Sequence, residues 1–300
     1  MKPVKSMTFK EFEDMFPDED ACKKYLMSHR WPEKVKCPRC GNENVYELTR
    51  EYHWQCHDCA TKGYRFSVLV GTIFENTNYP LCTWFKVIYL MLSSKKGMSA
   101  LQIHRMIGTG SYRTAWYMCH RIRAGLGNVE FRKLIGFVEV DETYVGGKEK
   151  NKHKDKRTGG GRGTVGKTPI IGAVSRKGKV VAKVIESVDT PTLDNFVRQT
   201  VSDRVSLVST DDNSGYRYLG RWFNHGVVHH AKGEYVVGSV HTATIDGFWS
   251  MIKRGIFGTF HKVSKKYLQL YIYEFEFRYN NRRNSDIFDT AILGCQVCAK

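Results

Sequence analysis

The spacing of apolar and polar positions divides the chain into a helical first part and a β-rich second part. Near the start, three phenylalanines share one helical face behind Thr8 and Glu11, which have the spacing of a capping box. The later run LCTWFKVIYLMLS predicts a buried helix that ends before Gly97. From Leu134 onward, short β-rich runs alternate with turn residues.

Two shorter helices follow Gly97. Ser99 and Gln102 have capping-box spacing, a GTG turn follows, and Ser111 can cap a second helix that carries basic residues. This pattern predicts a helix-turn-helix whose second helix enters the DNA major groove. The alternative is a helical hairpin with a solvated basic face. The candidate DNA contacts on the second helix are Arg113, Arg121 and Arg123.

In the β-rich part, carboxylates follow two predicted strands and one later helix. LIGFVEVDETYVGG delivers Asp141 and Glu142, RVSLVSTDDNSGY delivers Asp211 and Asp212, and TIDGFWSMIKRG carries Asp246. Antiparallel strands that lead into an alternating α/β segment have the chain order of a ribonuclease-H-like domain. Glu142 and Asp212 are expected on the opposite strand faces, as supporting or capping residues.

Three acids in this order predict a metal site, because clustered carboxylates repel one another without a cation. Carboxylate oxygens suit Mg²⁺ or Mn²⁺, so Asp141, Asp211 and Asp246 are the candidate ligands. Lys253 lies seven residues after Asp246, roughly on the same helix face, and is a candidate for holding a phosphate. The alternative is that Lys253 is an ordinary solvated lysine on the surface.

Four cysteines in the first part form two C-x-x-C pairs with fifteen residues between them. This spacing predicts a zinc ribbon with one structural Zn²⁺, whereas accidental pairs or a redox motif explain it less well. The predicted ligands are Cys37, Cys40, Cys56 and Cys59. The single pair at Cys295 and Cys298 is expected to hold free thiols.

Charge points to the class of partner. The chain of 300 residues has 47 Lys and Arg against 30 Asp and Glu, a formal net charge of +17, which favours DNA. The longest apolar run is too short to span a membrane, and the start lacks the pattern of a secretory signal. A cytoplasmic, nucleoid-associated protein with no membrane partner is therefore expected.

A run rich in glycine and lysine, GGKEKNKHKDKRTGGGRGTVGK, follows Asp141. It is predicted to grip the DNA backbone, with a disordered linker as the alternative. Its G-x-x-x-x-G-K-[ST] match precedes a predicted strand rather than a helix, which argues against a nucleotide-binding loop. The candidate DNA contacts in this run are Lys148, Lys152 and Arg162.

These motifs, with the final string EFEFRYNNR, resemble the zinc-ribbon, ISXO-like group of bacterial insertion-sequence transposases with DDE chemistry. The resemblance implies that Asp141, Asp211 and Asp246 bind two Mg²⁺ or Mn²⁺ ions, and that Lys253 is the basic residue downstream. Such proteins more often have Glu at the third position, so His241 is a reserve ligand.

The resemblance also implies an activity. The chain is expected to bind the terminal inverted repeats of an insertion sequence as a homo-oligomer, to cut the DNA strands and to join them to target DNA. The alternative is a sequence-specific DNA-binding regulator with an inactive nuclease-like domain.

The predicted fold is an α/β catalytic domain with a ribonuclease-H-like mixed sheet and flanking helices, preceded by two small modules. The predicted segments are an N-terminal helical segment (1–30), a zinc ribbon (31–75), a helix-turn-helix-like module (76–130) and the catalytic domain (131–300).

Overall fold

The computed structural model describes residues 7–59, 63–128, 132–147, 153–156, 164–229, 236 and 238–296. The chain forms two compact units, one from Met1–Val129 with Arg283–Lys300 and the other from Glu130–Arg282. We call them the N-terminal unit and the sheet unit. Within the described ranges, no helix combines the length and the apolar character that crossing a bilayer requires.

The N-terminal unit contains six helices within the described residues. They are α1 (Phe9–Met15), α2 (Glu19–Arg30), α3 (Leu81–Ser93), α4 (Ala100–Ile107), α5 (Tyr112–Leu126) and α9 (Ile287–Cys295). The Thr8–Glu11 capping box is present at the start of α1. Ser99 and Ser111 cap α4 and α5, and Gly108 ends α4 with a φ of 71°. The two helices and the short glycine-containing turn predicted from the sequence are therefore confirmed.

The core of this unit is aromatic, and α9 belongs to it. Phe288 of α9 lies 5.4 Å from Phe16 and 5.6 Å from Phe85, measured between ring centroids. The hydroxyl of Tyr25 donates a hydrogen bond to Asp289. The last helix thus groups with the first helices, whereas the sequence placed it in a catalytic segment that runs to residue 300.

A three-stranded antiparallel sheet lies between α2 and α3 in the chain. Its strands are β1 (Val45–Glu47), β2 (His53–Cys56) and β3 (Tyr64–Ser67), in the order β1-β2-β3. Trp54 and Phe66 are directly opposite each other and both are buried. This small sheet is the predicted ribbon, and it leaves room for little more than one aromatic pair as its core.

The sheet unit is built on a five-stranded mixed sheet in the order β6-β5-β4-β7-β8. β4, β5 and β6 are antiparallel neighbours, and β7 and β8 are parallel to β4. This order confirms the predicted ribonuclease-H-like mixed sheet. The strands are β4 (Phe137–Val145), β5 (Thr168–Ser175), β6 (Val180–Val184), β7 (Leu207–Asp211) and β8 (His225–Val228).

Helices cover both faces of this sheet, because strand residues alternate between two apolar cores. On one face, Val138 and Val140 pack with α6 (Thr190–Thr200). On the other face, neighbours such as Ile170 and Val174 pack with the remaining two helices. Those helices are α7 (Ala243–Gly255), which continues into a π-helical turn, and α8 (Leu268–Asn280).

Polar side chains of α8 cover the outer edge of the sheet. Gln269 accepts the amide of Val184 at 2.7 Å, and Asn280 both accepts from the amide of Val180 at 2.7 Å and donates to its carbonyl at 2.9 Å. Between them, Glu276 accepts the amide of Ala182 at 3.3 Å. An edge strand otherwise presents unpaired amides and carbonyls, so these side chains replace a neighbouring strand.

A buried carboxylate attaches α7 to β4. Glu139 is fully buried and accepts the backbone amides of Thr244 and Ile245 at 2.7 and 3.1 Å. It also binds the guanidinium of Arg176 at 2.7 Å, and His241 Nδ1 lies 3.1 Å from the same oxygen. Because the first amides of a helix lack partners within it, Glu139 acts as a cap supplied by the sheet.

We expect Glu139→Ala to destabilise the sheet unit by about 3–5 kcal/mol, because it leaves Arg176 and the first amides of α7 without their buried partner. Urea unfolding followed by tryptophan fluorescence measures the change. Glu186→Ala, which removes an exposed carboxylate from the same unit, is the control and should change stability by less than about 0.5 kcal/mol. Equal effects of the two substitutions would contradict the role of Glu139.

Candidate functional site

Three carboxylates meet where β4 and β7 run side by side. Oxygen atoms of Asp141, Glu142 and Asp211 all lie within 4.8 Å of one another. Asp211 ends β7, and β4 is its parallel neighbour, so the strand pairing brings the acids together. The amide of Asn213 fixes Glu142 by donating to it at 2.7 Å. We call these three side chains the acid group.

The position of Asp141 depends on a close approach between the sheet and α7. The indole nitrogen of Trp249 donates to Asp141 at 2.9 Å. Gly172 lies opposite Asp141 in the sheet, and a Cβ at Gly172 would come within 2.5 Å of the Trp249 ring. Only glycine therefore lets the indole lie flat enough on β5 to reach the carboxylate.

Burial and mutual repulsion disfavour ionisation of the acid group. The pKa of Asp141 rises to about 7, first because the side chain is buried and then because Asp211 and Asp246 are negatively charged nearby. Burial and the charges of Asp211 and Asp141 likewise raise the pKa of Glu142 to about 7. Bound cations would remove this cost, so the protein alone holds the site in a destabilised state.

The other predicted residues lie outside the acid group. Asp246 lies outside the group, exposed on the first turn of α7, and its charge acts on Asp141. Lys253 is exposed near the end of the same helix, four residues after Trp249. His241 lies beside Glu139 rather than beside the acid group.

The donor set fits a divalent cation that prefers oxygen. Three carboxylates within 4.8 Å supply only oxygen ligands, the set typical of Mg²⁺ and Mn²⁺. The raised pKa values of Asp141 and Glu142 indicate that a bound cation would favour their charged forms. The predicted divalent-metal site is therefore supported, with Glu142 as an additional ligand candidate.

The cysteine cluster fits a tetrahedral zinc ion. The four sulfur atoms of Cys37, Cys40, Cys56 and Cys59 lie within 4.8 Å of one another. Cys37 and Cys59 are 3.7 Å apart, as are Cys40 and Cys56. Sulfur atoms bound at 2.3 Å around a tetrahedral ion are roughly 3.8 Å apart. All four predicted ligands are thus positioned for one structural ion.

The predicted DNA contacts on α5 differ in exposure. Arg113 is exposed on the first turn, whereas Arg121 donates to the carbonyl of Glu75 at 3.1 and 3.2 Å. Both line a groove of about 810 Å³ beside the helix. Arg123 is only 1% exposed, so it does not belong to a surface that DNA can reach, contrary to the expectation. The remaining candidates, Lys148, Lys152 and Arg162, lie outside the described residues.

Comparison with known proteins places this geometry in a family. Residues 133–280 match the model of the ISXO2-like transposase domain, and residues 17–62 match that of a transposase zinc-ribbon domain. Residues 133–280 form an ISXO2-like transposase domain. The transposase is also 28% identical over 281 residues to an uncharacterized protein in transposable element ISH50 of Halobacterium salinarum. The aligned residues cover 88% of this chain and 91% of that relative.

The two matched ranges contain both candidate metal centres of the transposase. The acid group and α7 lie within 133–280, and the four cysteines lie within 17–62. Neither range includes α4 or α5. Sequence reasoning missed Trp249 and Glu139 as parts of the site. The available signals were two spacings in the sequence. Trp249 follows Asp246 by three residues on a helix, and Glu139 precedes Asp141 by two residues on a strand.

Removal of zinc should unfold the ribbon of the transposase. Cys40→Ser removes one of four ligands, so we expect the bound zinc to fall from about one ion per chain towards zero. A zinc indicator dye after acid release measures the content. Cys82→Ser, which changes a partly exposed cysteine outside the cluster, should leave the content unchanged. Full zinc retention by Cys40→Ser would contradict the assignment.

Neutralising Asp141 should stabilise the metal-free protein at alkaline pH. The folded-state pKa of Asp141 is raised from 3.8 to about 7, so its stabilising protonation is complete below about pH 4 and is lost as the pH rises through about 7. We therefore expect Asp141→Asn to raise the melting temperature by a few degrees at pH 8 and by little at pH 4. The exposed neighbour variant Asp212→Asn should show no such pH dependence.

Mg²⁺ should reverse that difference. Added at about 100 times its dissociation constant, Mg²⁺ should stabilise the wild type by about 2.7 kcal/mol and Asp141→Asn by much less. Thermal melting in a Mg²⁺ titration measures both values. Equal stabilisation of the two proteins would place the metal elsewhere.

Proposed function

We propose that this protein is a DNA transposase that cuts the ends of an insertion sequence and joins them to target DNA. The observation that carries the proposal is the group of three carboxylates inside an ISXO2-like transposase domain, in which the pKa values of Asp141 and Glu142 are raised. A site of this kind concentrates negative charge, so it would bind a divalent cation. The bound cation would then allow an anionic phosphodiester to approach the carboxylates.

The acid group and Asp246 would hold two divalent ions, Mg²⁺ or Mn²⁺. These ions would activate a water or a 3′-hydroxyl and stabilise the departing 3′-oxygen. Asp141 and Asp211 are the first ligands in this proposal. Asp246 is the third, supported by its effect on the pKa of Asp141 and by Trp249, which extends from the same helix to Asp141. His241 is a weaker candidate because it lies beside Glu139.

Lys253 has a binding role in this proposal. Asp246, Trp249 and Lys253 follow one another at intervals of three and four residues, so they share one stripe of α7. That stripe contacts Asp141 through Trp249. An exposed ammonium at its far end can hold a DNA phosphate beside the acid group.

Recognition of the element ends is assigned to the N-terminal unit. The zinc ribbon belongs to a transposase family, and α4 and α5 form two capped helices around a short turn. Arg113 is the exposed arginine at the start of the second helix, the position from which base edges are read in helix-turn-helix proteins. Joining of two ends requires at least two copies of the protein on DNA.

A DNA-binding regulator is the second candidate. The observation in its favour is that Asp246 lies outside the acid group. Such a regulator would bind the terminal inverted repeats with its zinc ribbon intact, and it would yield no Mg²⁺-dependent product even from DNA that is already nicked.

Substitution of the acids tests the proposal. We expect Asp141→Ala and Asp211→Ala each to reduce Mg²⁺-dependent cleavage of terminal-repeat DNA by more than about 100-fold, because loss of even an outer metal-site partner costs 10–100-fold. Asp203→Ala, an exposed acid of the same unit, is the control and should retain full activity. Cleavage products are separated on denaturing gels. Wild-type activity in either acid variant, or no product from the wild type on any substrate, would overturn the proposed activity.

A further inference from the structure

A second cluster of basic and aromatic side chains lies in the sheet unit, apart from the acid group. The segment from Asp212 to Asn224 joins β7 to β8, and after Asp212 at its start it contains no acidic residue. Together with the end of α6 it forms what we call the arginine–aromatic patch, which consists of Arg198, Arg217, Tyr218, Arg221 and Trp222.

The core fixes the segment that carries this patch. Leu219 and Phe223 are four residues apart and both are buried in the core that α6 covers. A short 3-10 turn at Leu219–Arg221 keeps the chain helical between them. The opposite side of the turn therefore faces solvent, and Trp222 is 52% exposed there. Because the core anchors this turn, the exposed Trp222 side chain is already in position to contact a ligand.

The arginines of the patch are held against aromatic rings. The guanidinium carbons of Arg217 and Arg221 lie 4.8 and 4.3 Å from the centroid of the Tyr218 ring. That of Arg198 lies 4.2 Å from the ring of Trp222. Stacking orients a guanidinium while leaving its N–H groups at the rim available, so less entropy is lost when they bind a phosphate.

No acid neutralises these three charges within the part of the chain that the structure describes. Neither Arg198 nor Arg217 nor Arg221 has a carboxylate oxygen within 4.0 Å there. All three are exposed. Elsewhere in the unit, Arg176 and Arg278 are both paired with buried glutamates. The patch thus has the charge to attract a polyanion and the rings to stack on its bases.

The segment that carries most of the patch begins next to the acid group in the chain. Asp211 ends β7, and His225 begins the parallel strand β8, so the connecting segment crosses from one end of the strands to the other. Five residues of strand span about 17 Å, which corresponds to roughly five nucleotides of a DNA strand at 3.4 Å each. A DNA strand with one phosphate at the acid group can therefore reach the patch with a phosphate a few nucleotides away.

We infer that the arginine–aromatic patch is a second DNA-binding surface, which holds the backbone a few nucleotides from the phosphate that is cut. This inference rests on the proposed function for the position of the DNA. Arg217 and Arg221 bind phosphates, and Trp222 stacks on a base. None of the five patch residues belongs to α5 or to the glycine-rich and lysine-rich run of the sequence.

DNA binding without Mg²⁺ tests the patch separately from cleavage. Fluorescence anisotropy with a labelled terminal-repeat duplex is measured between 50 and 300 mM salt for the full-length wild type and for Arg217→Gln/Arg221→Gln. Loss of two phosphate contacts should reduce the steepness of log K against log salt by about 1.8, and the affinity at 0.1 M salt on the order of tenfold. Thermal melting checks that the variant is folded.

A matched control separates the patch from general charge. Lys177→Gln/Lys179→Gln removes two exposed charges from the β5–β6 turn of the same unit and should leave the slope unchanged. Trp222→Ala should weaken binding of single-stranded DNA roughly fivefold or more without changing the slope, because stacking releases no counterions.

Three results would overturn the inference. Equal effects of the arginine and lysine pairs would show only the general charge of the protein. A loss of self-association in sedimentation, with DNA binding intact, would assign the patch to a second copy of the chain. Binding without cleavage by the wild type would count against the proposed activity alone, whereas absence of any DNA binding by the wild type would remove both.

Discussion

The bond between a sheet carboxylate and the start of a helix is the constraint on which the sheet unit depends. Glu139 lies two residues before Asp141 on β4, so both side chains project from the same face. One holds the first amides of α7, and the other receives the indole of Trp249 from the next turn. The helix that carries Asp246 is thus attached at two points, and the second of them is Asp141, a proposed metal ligand.

The two apolar cores of the sheet unit explain why it tolerates a costly cluster of acids. Burial and repulsion raise the pKa values of Asp141 and Glu142, which lowers stability at neutral pH. Two apolar cores, one on each side of the sheet, supply the stability that the acid group removes. A site whose folded state improves when a cation enters couples binding of the metal to rigidity of the surrounding strands.

The periodicity of apolar residues and the spacing of motif residues predicted most of this structure. The features that they did not predict depend on contacts between segments that are distant in the sequence. Strand alternation and the order of acids predicted the sheet, with Asp141 and Asp211 side by side, and C-x-x-C spacing predicted the zinc ligands. Alternation alone placed Glu142 on the far face, whereas the structure brings its carboxylate within 4.8 Å of those of Asp141 and Asp211. Arg123 was wrongly expected at the surface, since it lies four residues after Cys119 and three before Leu126, on the buried stripe of α5.

The amide and carboxylate side chains that α8 lays along β6 also limit how the molecule can assemble. Because Gln269, Glu276 and Asn280 occupy the outer donors and acceptors of that strand, no foreign strand can pair there without first displacing them. Any partner that lengthens this sheet must approach from β8, the opposite border. Copies of the chain are thereby protected from uncontrolled strand pairing along that edge, a hazard for any sheet whose edge strand is left open.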